Sequence, residues 1–515
     1  MRLHWGITVF LILGIASCNP GDKETVHTPG LRIETVETAS RSASFLVRTI
    51  YAERILYGIS SEGNPQLDRC AETGSSLTAS FTLTVDDLSS DTDYIISAMA
   101  VGSGDMHSSV QTLEFRTSSG AAALNPWESE RSGAPSFADI SLVTLGWHNP
   151  NPPAWTPERF SSHVEFTDPA GKGHWLFDAF LCIDGWDPVR GLSYSIVAGR
   201  ESATKESWQD LLDAWLGEDG ALKQLDAAVS SAAGRLGEPP SPRYVVMGMP
   251  DPIRFQQFSN PESSTTYWGS LDGKQLDFAN THDQAEAYIW YMNECRKRFR
   301  ESGFGHLELA GFYILSEELP LNPQFFRTAG ESCRNGIDDW NWQNKNWEII
   351  VPLVADYAHS CNEGLWWIPY HLAPGYKVWK NLGFDAAFMQ PNYYWDHDSV
   401  SHPLSATKTA LASYRMGIEL EFEYSLVASV MADGRSAPDG NGTPYFYAKD
   451  VPLLRNRVRE YMQSFKDTSL YGLLPIAVYS GTDAWNQLAT STEQGDIDMF
   501  REICSFIYES PLKKH

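Results

Sequence analysis

Two short stretches of the chain concentrate its carboxylates in a pattern that could do chemistry. One reads Ser316-Glu317-Glu318, and the other, Ile418-Glu419-Leu420-Glu421-Phe422-Glu423, alternates apolar and acidic residues. In an extended strand successive side chains point to opposite faces, so Glu419, Glu421 and Glu423 share one side and Ile418, Leu420 and Phe422 the other. The apolar side calls for burial against other elements. Three carboxylates on the opposite side would then be costly unless a partner or a ligand meets them. Hydrolysis of a glycosidic bond uses such groups in pairs: a carboxylic acid protonates the leaving oxygen, and a carboxylate attacks the sugar or activates water. Glu317 or Glu318 could fill one role, and Glu421, Glu419 or Glu423 the other. The alternative without chemistry is that these acids form buried ion pairs or flank a solvated opening.

A second set of residues suits the same ligand. Pyranose faces stack on aromatic rings while acids and amides bind hydroxyls. Trp147, Trp186, Trp367, Tyr370, Tyr393 and Trp395 offer rings, and Asp184, His371, Gln390 and Asn392 offer polar groups, in segments that resemble strand ends. The chain holds 18 Trp, more than a core alone normally needs, since Trp is rarely buried completely. About half of the six rings are expected to be core or loop packing all the same.

These residues need a scaffold that brings distant segments to one place. From Asp139 onward, short β-rich runs at 140–147, 175–183, 243–249, 307–315, 365–370, 386–392, 416–423 and 471–479 alternate with helix-period segments, clearest at 283–300, 346–359, 404–415, 451–465 and 497–508. Such alternation yields parallel strands with crossover helices, and eight of them close naturally into an α/β fold, a (β/α)8 TIM barrel spanning 138–515. Functional groups of a barrel of this kind sit at the C-terminal ends of the strands. The residues singled out above fall at those ends.

Ahead of the barrel, residues 31–118 alternate apolar and polar positions between turn signals, as in Ser44-Phe45-Leu46-Val47, which predicts a small β-sandwich. The stretch from Leu88 through Tyr94 to Ile96, with a closing Leu113-Glu114-Phe115-Arg116-Thr117, resembles the fibronectin type III pattern, in which that Tyr packs at a strand corner. Ser, Gly, Ala and Pro dominate 119–137, a linker composition.

The N-terminus reads as an export signal. An apolar run over 6–15 is too short to span a bilayer and ends in Ile15-Ala16-Ser17-Cys18, which resembles a bacterial lipobox. Residues 1–18 are thus expected to be a lipoprotein signal with Cys18 as the lipidated residue, followed by a tether over 19–30. The expected location is the cell envelope, membrane-anchored through lipid alone, on the outer membrane or cell surface of a Gram-negative bacterium. The other six cysteines show no metal-ligand spacing and are expected to be buried free thiols. A net charge of −26 disfavours nucleic acid and anionic membrane as partners. No HExxH, glycine-rich phosphate loop or GxSxG elbow is present, so neither a metal nor a cofactor is expected, and a carbohydrate is the expected partner.

Two resemblances sharpen the reading. Acids at the fourth and seventh strands resemble the large clan of retaining glycosidases built on this barrel, which implies an acid/base at the fourth strand and a nucleophile at the seventh; that clan has Asn before the fourth-strand Glu, where this chain has Ser316. Gly311-Phe312-Tyr313, Glu317-Glu318, Trp367-Ile368-Pro369-Tyr370, the 379–385 segment, Gln390-Pro391-Asn392-Tyr393 and the 417–422 segment are similar to the bacterial family known as domain of unknown function 4855, which implies a glycosidase-like barrel. Glu317, which shares strand parity with Tyr313, is then the expected general acid/base and Glu421 the nucleophile of a retaining glycoside hydrolase. A glycan-binding lipoprotein without catalysis is the rival.

Overall fold

The computed structural model describes residues 28–38, 43–73, 77–85, 88–89, 92–117, 135–146, 153–187, 189–196, 201–258, 260–321, 347–394, 403–432, 451–468, 470–481 and 483–513. Cys18, Trp147 and Trp395 lie outside these residues, as does Cys333.

The N-terminal strands are β1 (Gly30–Thr38), β2 (Ala43–Ile50), β3 (Arg54–Ser60), β4 (Arg69–Glu72), β5 (Thr78–Val85), β6 (Asp93–Val101) and β7 (Gln111–Arg116). They form two antiparallel sheets, β1-β2-β5 and β4-β3-β6-β7, with Phe45, Val47, Ile55, Ile96 and Ala98 buried between them. Tyr94 Oη accepts the backbone N–H of Ser89 at 2.9 Å, and its ring stacks on Phe115. This is the strand-corner tyrosine of a fibronectin type III-like module.

The C-terminal region is a closed parallel barrel. Its strands are β8 (Asp139–Val143), β11 (Ala179–Cys182), β12 (Arg243–Met249), β15 (Leu307–Ile314), β16 (Gly364–Trp367), β17 (Ala386–Met389), β18 (Gly417–Glu421) and β19 (Ile476–Tyr479), each beside the next and β19 against β8. Helices covering the outside include α1 (Pro157–Val164), α2 (Lys205–Leu216), α3 (Ala221–Leu236), α4 (Thr281–Ser302), α5 (Trp347–Ser360), α6 (Leu404–Tyr414), α7 (Ala428–Ala432), α8 (Val451–Lys466), α9 (Ala484–Thr490) and α10 (Gln494–Tyr508). Strands covered on both faces read as continuous buried runs, as β11, β16 and β17 do. The pairs β9 (Glu165–Thr167) with β10 (Gly173–Trp175), and β13 (Ser270–Leu271) with β14 (Lys274–Gln275), are small hairpins outside the barrel.

Most of the expected runs end as strands before their apolar stretches do, and two start well inside theirs. The segment 175–183 splits, because Trp175 ends the hairpin strand β10 and Asp178 gives its backbone N–H to the Asp139 carboxylate at 2.8 Å before the barrel strand starts at Ala179. The segment 471–479 starts its strand only at Ile476. Gly472 has φ +85°, and Pro475 has no N–H to give to a ladder. Where β15 shifts register against β12, Gly311 takes φ +148°. A side chain there would meet the Gly364 carbonyl oxygen, so only glycine lets β15 and β16 approach.

The N-terminal end of the barrel is closed by charge. Asp139, Asp178, Arg243 and Lys513 are buried together, with Lys513 Nζ 3.2 Å from Asp178 Oδ1 and Arg243 Nη1 2.9 Å from the same oxygen. Lys513 also pairs with Asp139. Burial raises the Asp139 carboxyl to about 7 against the pull of that lysine. Breaking one member of a buried group like this is strongly destabilising, which ties the C-terminal tail into the barrel. Of the six remaining cysteines, Cys182, Cys295 and Cys504 are buried free thiols, whereas Cys70 and Cys361 are exposed rather than buried as expected, because β4 is an edge strand and Cys361 follows the end of α5.

Candidate active site at the barrel mouth

The alternation of β18 does what its period dictates. Ile418, Leu420 and Phe422 are buried in the hydrophobic core, and Glu419, Glu421 and Glu423 are 3%, 2% and 7% exposed on the other side. Tyr313, inward on the neighbouring half of the barrel, feels the charges of Glu317, Glu419 and Asp251, and burial raises its hydroxyl well above the usual value. The fourth and seventh strands thus bring Glu317 and Glu421 within electrostatic reach of Glu419.

Each carboxyl has its own environment. Glu421 Oε2 accepts the backbone N–H of Asn392 at 2.8 Å and the hydroxyl of Tyr461 at 3.1 Å. Donors of this kind favour the ionised form of a carboxylate. Glu317 is exposed to solvent yet has protein crowded around it. That crowding raises its carboxyl above the usual range, a side-chain hydrogen bond with Gln390 pulls it down, and Glu318 pushes it up again. Glu318 is half-buried and raised by burial alone. Burial, then Glu421 and Glu317, hold Glu419 well above the ordinary carboxyl range. Burial also lifts Glu423 to about 7, opposed by the backbone N–H of Tyr424. Carboxyls in surroundings this different can divide acid and base roles.

The loops beyond the strands hold the acids in place. Ser316 donates to Asp251 Oδ2 at 2.6 Å, and Tyr288 on α4 donates to Asp251 Oδ1 at 2.7 Å. The Ser316 carbonyl accepts Trp367 Nε1 at 2.7 Å, and the Glu317 carbonyl accepts the backbone N–H of Tyr370 at 3.1 Å. The main chain around Glu317 is therefore fastened to the ends of the third and fifth strands. On the far side, Asn392 Nδ2 donates to the Tyr370 hydroxyl at 2.6 Å.

Several residues chosen from the sequence turn out to hold the fold. Trp367 is fully buried, stacked on Phe384 and bonded to Ser316, so its ring supports the loop rather than a ligand. Asp184 is buried and accepts from Thr144 Oγ1, Leu145 N and Trp215 Nε1 at 2.9, 2.9 and 3.0 Å. It ties the ends of the first two strands together, and burial raises it to about 7. His371 is buried beside Thr407, with 3.4 Å between Nδ1 and Oγ1. Tyr393 is half-buried, donates to Glu460 at 2.6 Å and carries the Arg457 guanidinium over its ring at 5.3 Å. Its ring is committed to α8. Trp186, Tyr370, Gln390 and Asn392 are half-buried at the mouth.

Asp251, Tyr288 and Tyr461 were not singled out by sequence reasoning. Asp251 stands in a strand-end segment, a usable signal, but the two tyrosines lie inside amphipathic helices and carry none. Among the described residues no group of three His, Cys, Asp or Glu is placed to hold a metal ion, and no helix is long and apolar enough to cross a membrane.

A family model described as Domain of unknown function (DUF4855) matches residues 139–343 and 341–436, which takes in β8 through β18 and more than half of the chain. The chain belongs to this family. None of the curated proteins matches this DUF4855 chain. Among solved structures it is similar to a Bacteroides uniformis β-glucuronidase, at 8% identity and TM-score 0.31 over 88% of this chain and 45% of that one. A GH18 chitinase from Pseudoalteromonas aurantia aligns at 10% identity and TM-score 0.32, over 71% and 99% of the two chains. The sensor domain of the anti-sigma factor RsgI4 in Pseudobacteroides cellulosolvens aligns at 19% identity and TM-score 0.16 with 19% of this chain and 95% of its own. Likenesses this distant say nothing about activity.

Proposed function

We propose that this barrel is a retaining glycoside hydrolase acting on a poly- or oligosaccharide, with Glu317 as general acid/base and Glu421 as nucleophile. The observation that carries the reading is the contrast between the two carboxyls: Glu421 is held by two donors at one oxygen, while crowding by protein favours the protonated form of Glu317. In the first step the Glu421 carboxylate attacks the anomeric carbon as Glu317 gives its proton to the leaving oxygen. A covalent glycosyl-enzyme forms and the glycosidic bond breaks. In the second step Glu317, now ionised, takes a proton from water as the water oxygen displaces Glu421 and returns it as carboxylate. Gln390, bonded to Glu317, orients the acid.

The lipobox-like run ending at Cys18 supports an exported protein held at the cell envelope by lipid, with the sandwich as a spacer between anchor and barrel. The test of the hydrolase reading is to screen glycans for cleavage and follow the anomeric configuration of the first-formed product by NMR. Retention is expected, and inversion would reassign one of the two glutamates to the activation of water.

A further inference from the structure

The deeply buried acids of this barrel are nearly all met by protein groups. Asp139 has Lys513, Asp184 has three donors, and Glu363 takes Arg296 in a two-pronged pair at 2.6 and 2.8 Å. Glu419 differs. It is 3% exposed, its neighbours within electrostatic reach are the carboxyls of Glu421 and Glu317 and the Tyr313 hydroxyl, and among the described residues its carboxyl makes no hydrogen bond. A buried carboxyl without a donor is costly, and the position is not isolated from the site, since strand parity aims it into the same mouth as Glu421, one pleat deeper.

What would meet such a group is a donor brought by the ligand. A hydroxyl offers one donor and no charge, leaving the crowding of three carboxyls unrelieved. An ammonium offers three donors and no acceptor, and its charge favours the ionised form of each carboxyl it faces. Among the described residues no lysine or arginine pairs with Glu317, Glu318, Glu419 or Glu423, so none of the described residues supplies that charge to them. Nor do these acids converge closely enough to ligate a metal ion.

We infer that the sugar unit bound at the floor of the mouth carries a free amine, an amino sugar that is not N-acetylated, and that Glu419 is the residue that selects it. The inference rests on the mouth being a glycan site, but not on cleavage. An acetylated nitrogen keeps one N–H, loses its charge and adds an acyl group, so it cannot make the charged contact that an ammonium makes.

The experiment uses monosaccharides, which cannot be hydrolysed, so that its failure and that of the hydrolase reading are told apart. Binding of glucosamine, galactosamine and mannosamine to the full chain is measured by NMR titration beside their N-acetylated and hydroxyl counterparts. One amine is expected to bind at least about tenfold more tightly than both of its counterparts, the effect of a charge-assisted hydrogen bond. The isosteric Glu419→Gln should abolish the preference, while Glu419→Asp keeps part of it. Overturning results are a wild type that prefers no amine, or a preference that survives Glu419→Gln. Should Glu419→Gln fail to fold, the wild-type panel decides alone.

Discussion

The backbone N–H of Asn392 donates to Glu421 Oε2 at 2.8 Å, so the end of the sixth strand holds the carboxylate of the seventh. Asn392 can do this because its φ is +52°, in the left-handed region, which Asn tolerates better than most residues. Its side chain at the same time grips the Tyr370 hydroxyl.

Asn392 therefore has two separable jobs. Asn392→Ala should lower stability by about 2 kcal/mol, through the backbone conformation and the lost hydrogen bond, and reduce turnover as well. Asn392→Gly should recover the backbone part and keep the N–H on Glu421, leaving only the loss of the Tyr370 contact. Denaturant melts and turnover of the two variants distinguish these parts. Equal behaviour of both would contradict the role of φ.

Ser316 anchors the Glu317 loop to Asp251. Removing that bond with Ser316→Ala should leave the fold intact and lower kcat by about ten- to a hundredfold through misplacement of the acid. KM should change much less. A pure KM effect would mean that Ser316 touches the substrate instead.

Glu423 gives a stability signature. Its carboxyl is raised to about 7 by burial, so the folded chain binds a proton that the unfolded chain releases from near the ordinary value of 4.5 upward. The sign follows: this contribution is fully present below about 4.5 and is lost as pH rises towards 7. Glu423→Gln, which cannot ionise, should gain stability relative to wild type between those limits, by a total on the order of 3 kcal/mol. Unfolding free energies at pH 4.5 and pH 8 check it. A constant difference between the two proteins would refute the assignment.

Cys18→Ala should move the protein from the membrane fraction to the soluble fraction without changing its melting temperature, because lipid is the proposed anchor. Continued sedimentation with membranes would mean that another part of the chain holds it there.

Much of this architecture was legible in the sequence, for identifiable reasons. Buried parallel strands are short apolar runs, so segments such as 243–249 stood out, and the acid/apolar period of 418–423 gave the inward glutamates without knowledge of the fold. The ends of runs were less legible. Trp175 and Tyr471 are as apolar as strand residues but are diverted by hairpin pairing and by Gly472 with Pro475. Aromatics were the weakest signal, since nothing local distinguishes Trp367, which packs on Phe384 and bonds Ser316, from a ring open to ligand. The supports of the acids were illegible for another reason. Tyr461 meets Glu421, and Asp251 meets Ser316, across long sequence separations that only the packing of neighbouring barrel elements spans.

The central claim is that Glu317 and Glu421 carry out hydrolysis in different roles, and leaving-group dependence tests it most directly. On a glycan cleaved by the wild type, Glu317→Ala and Glu421→Ala should both lose turnover by about 10²-fold or more while keeping their fold. An aryl glycoside with a good leaving group should restore much of the first step to Glu317→Ala, which no longer needs to protonate, and none to Glu421→Ala. If both variants turn over at the wild-type rate, or if the wild type binds glycans and cleaves none, the catalytic account is wrong and the domain is a glycan-binding barrel.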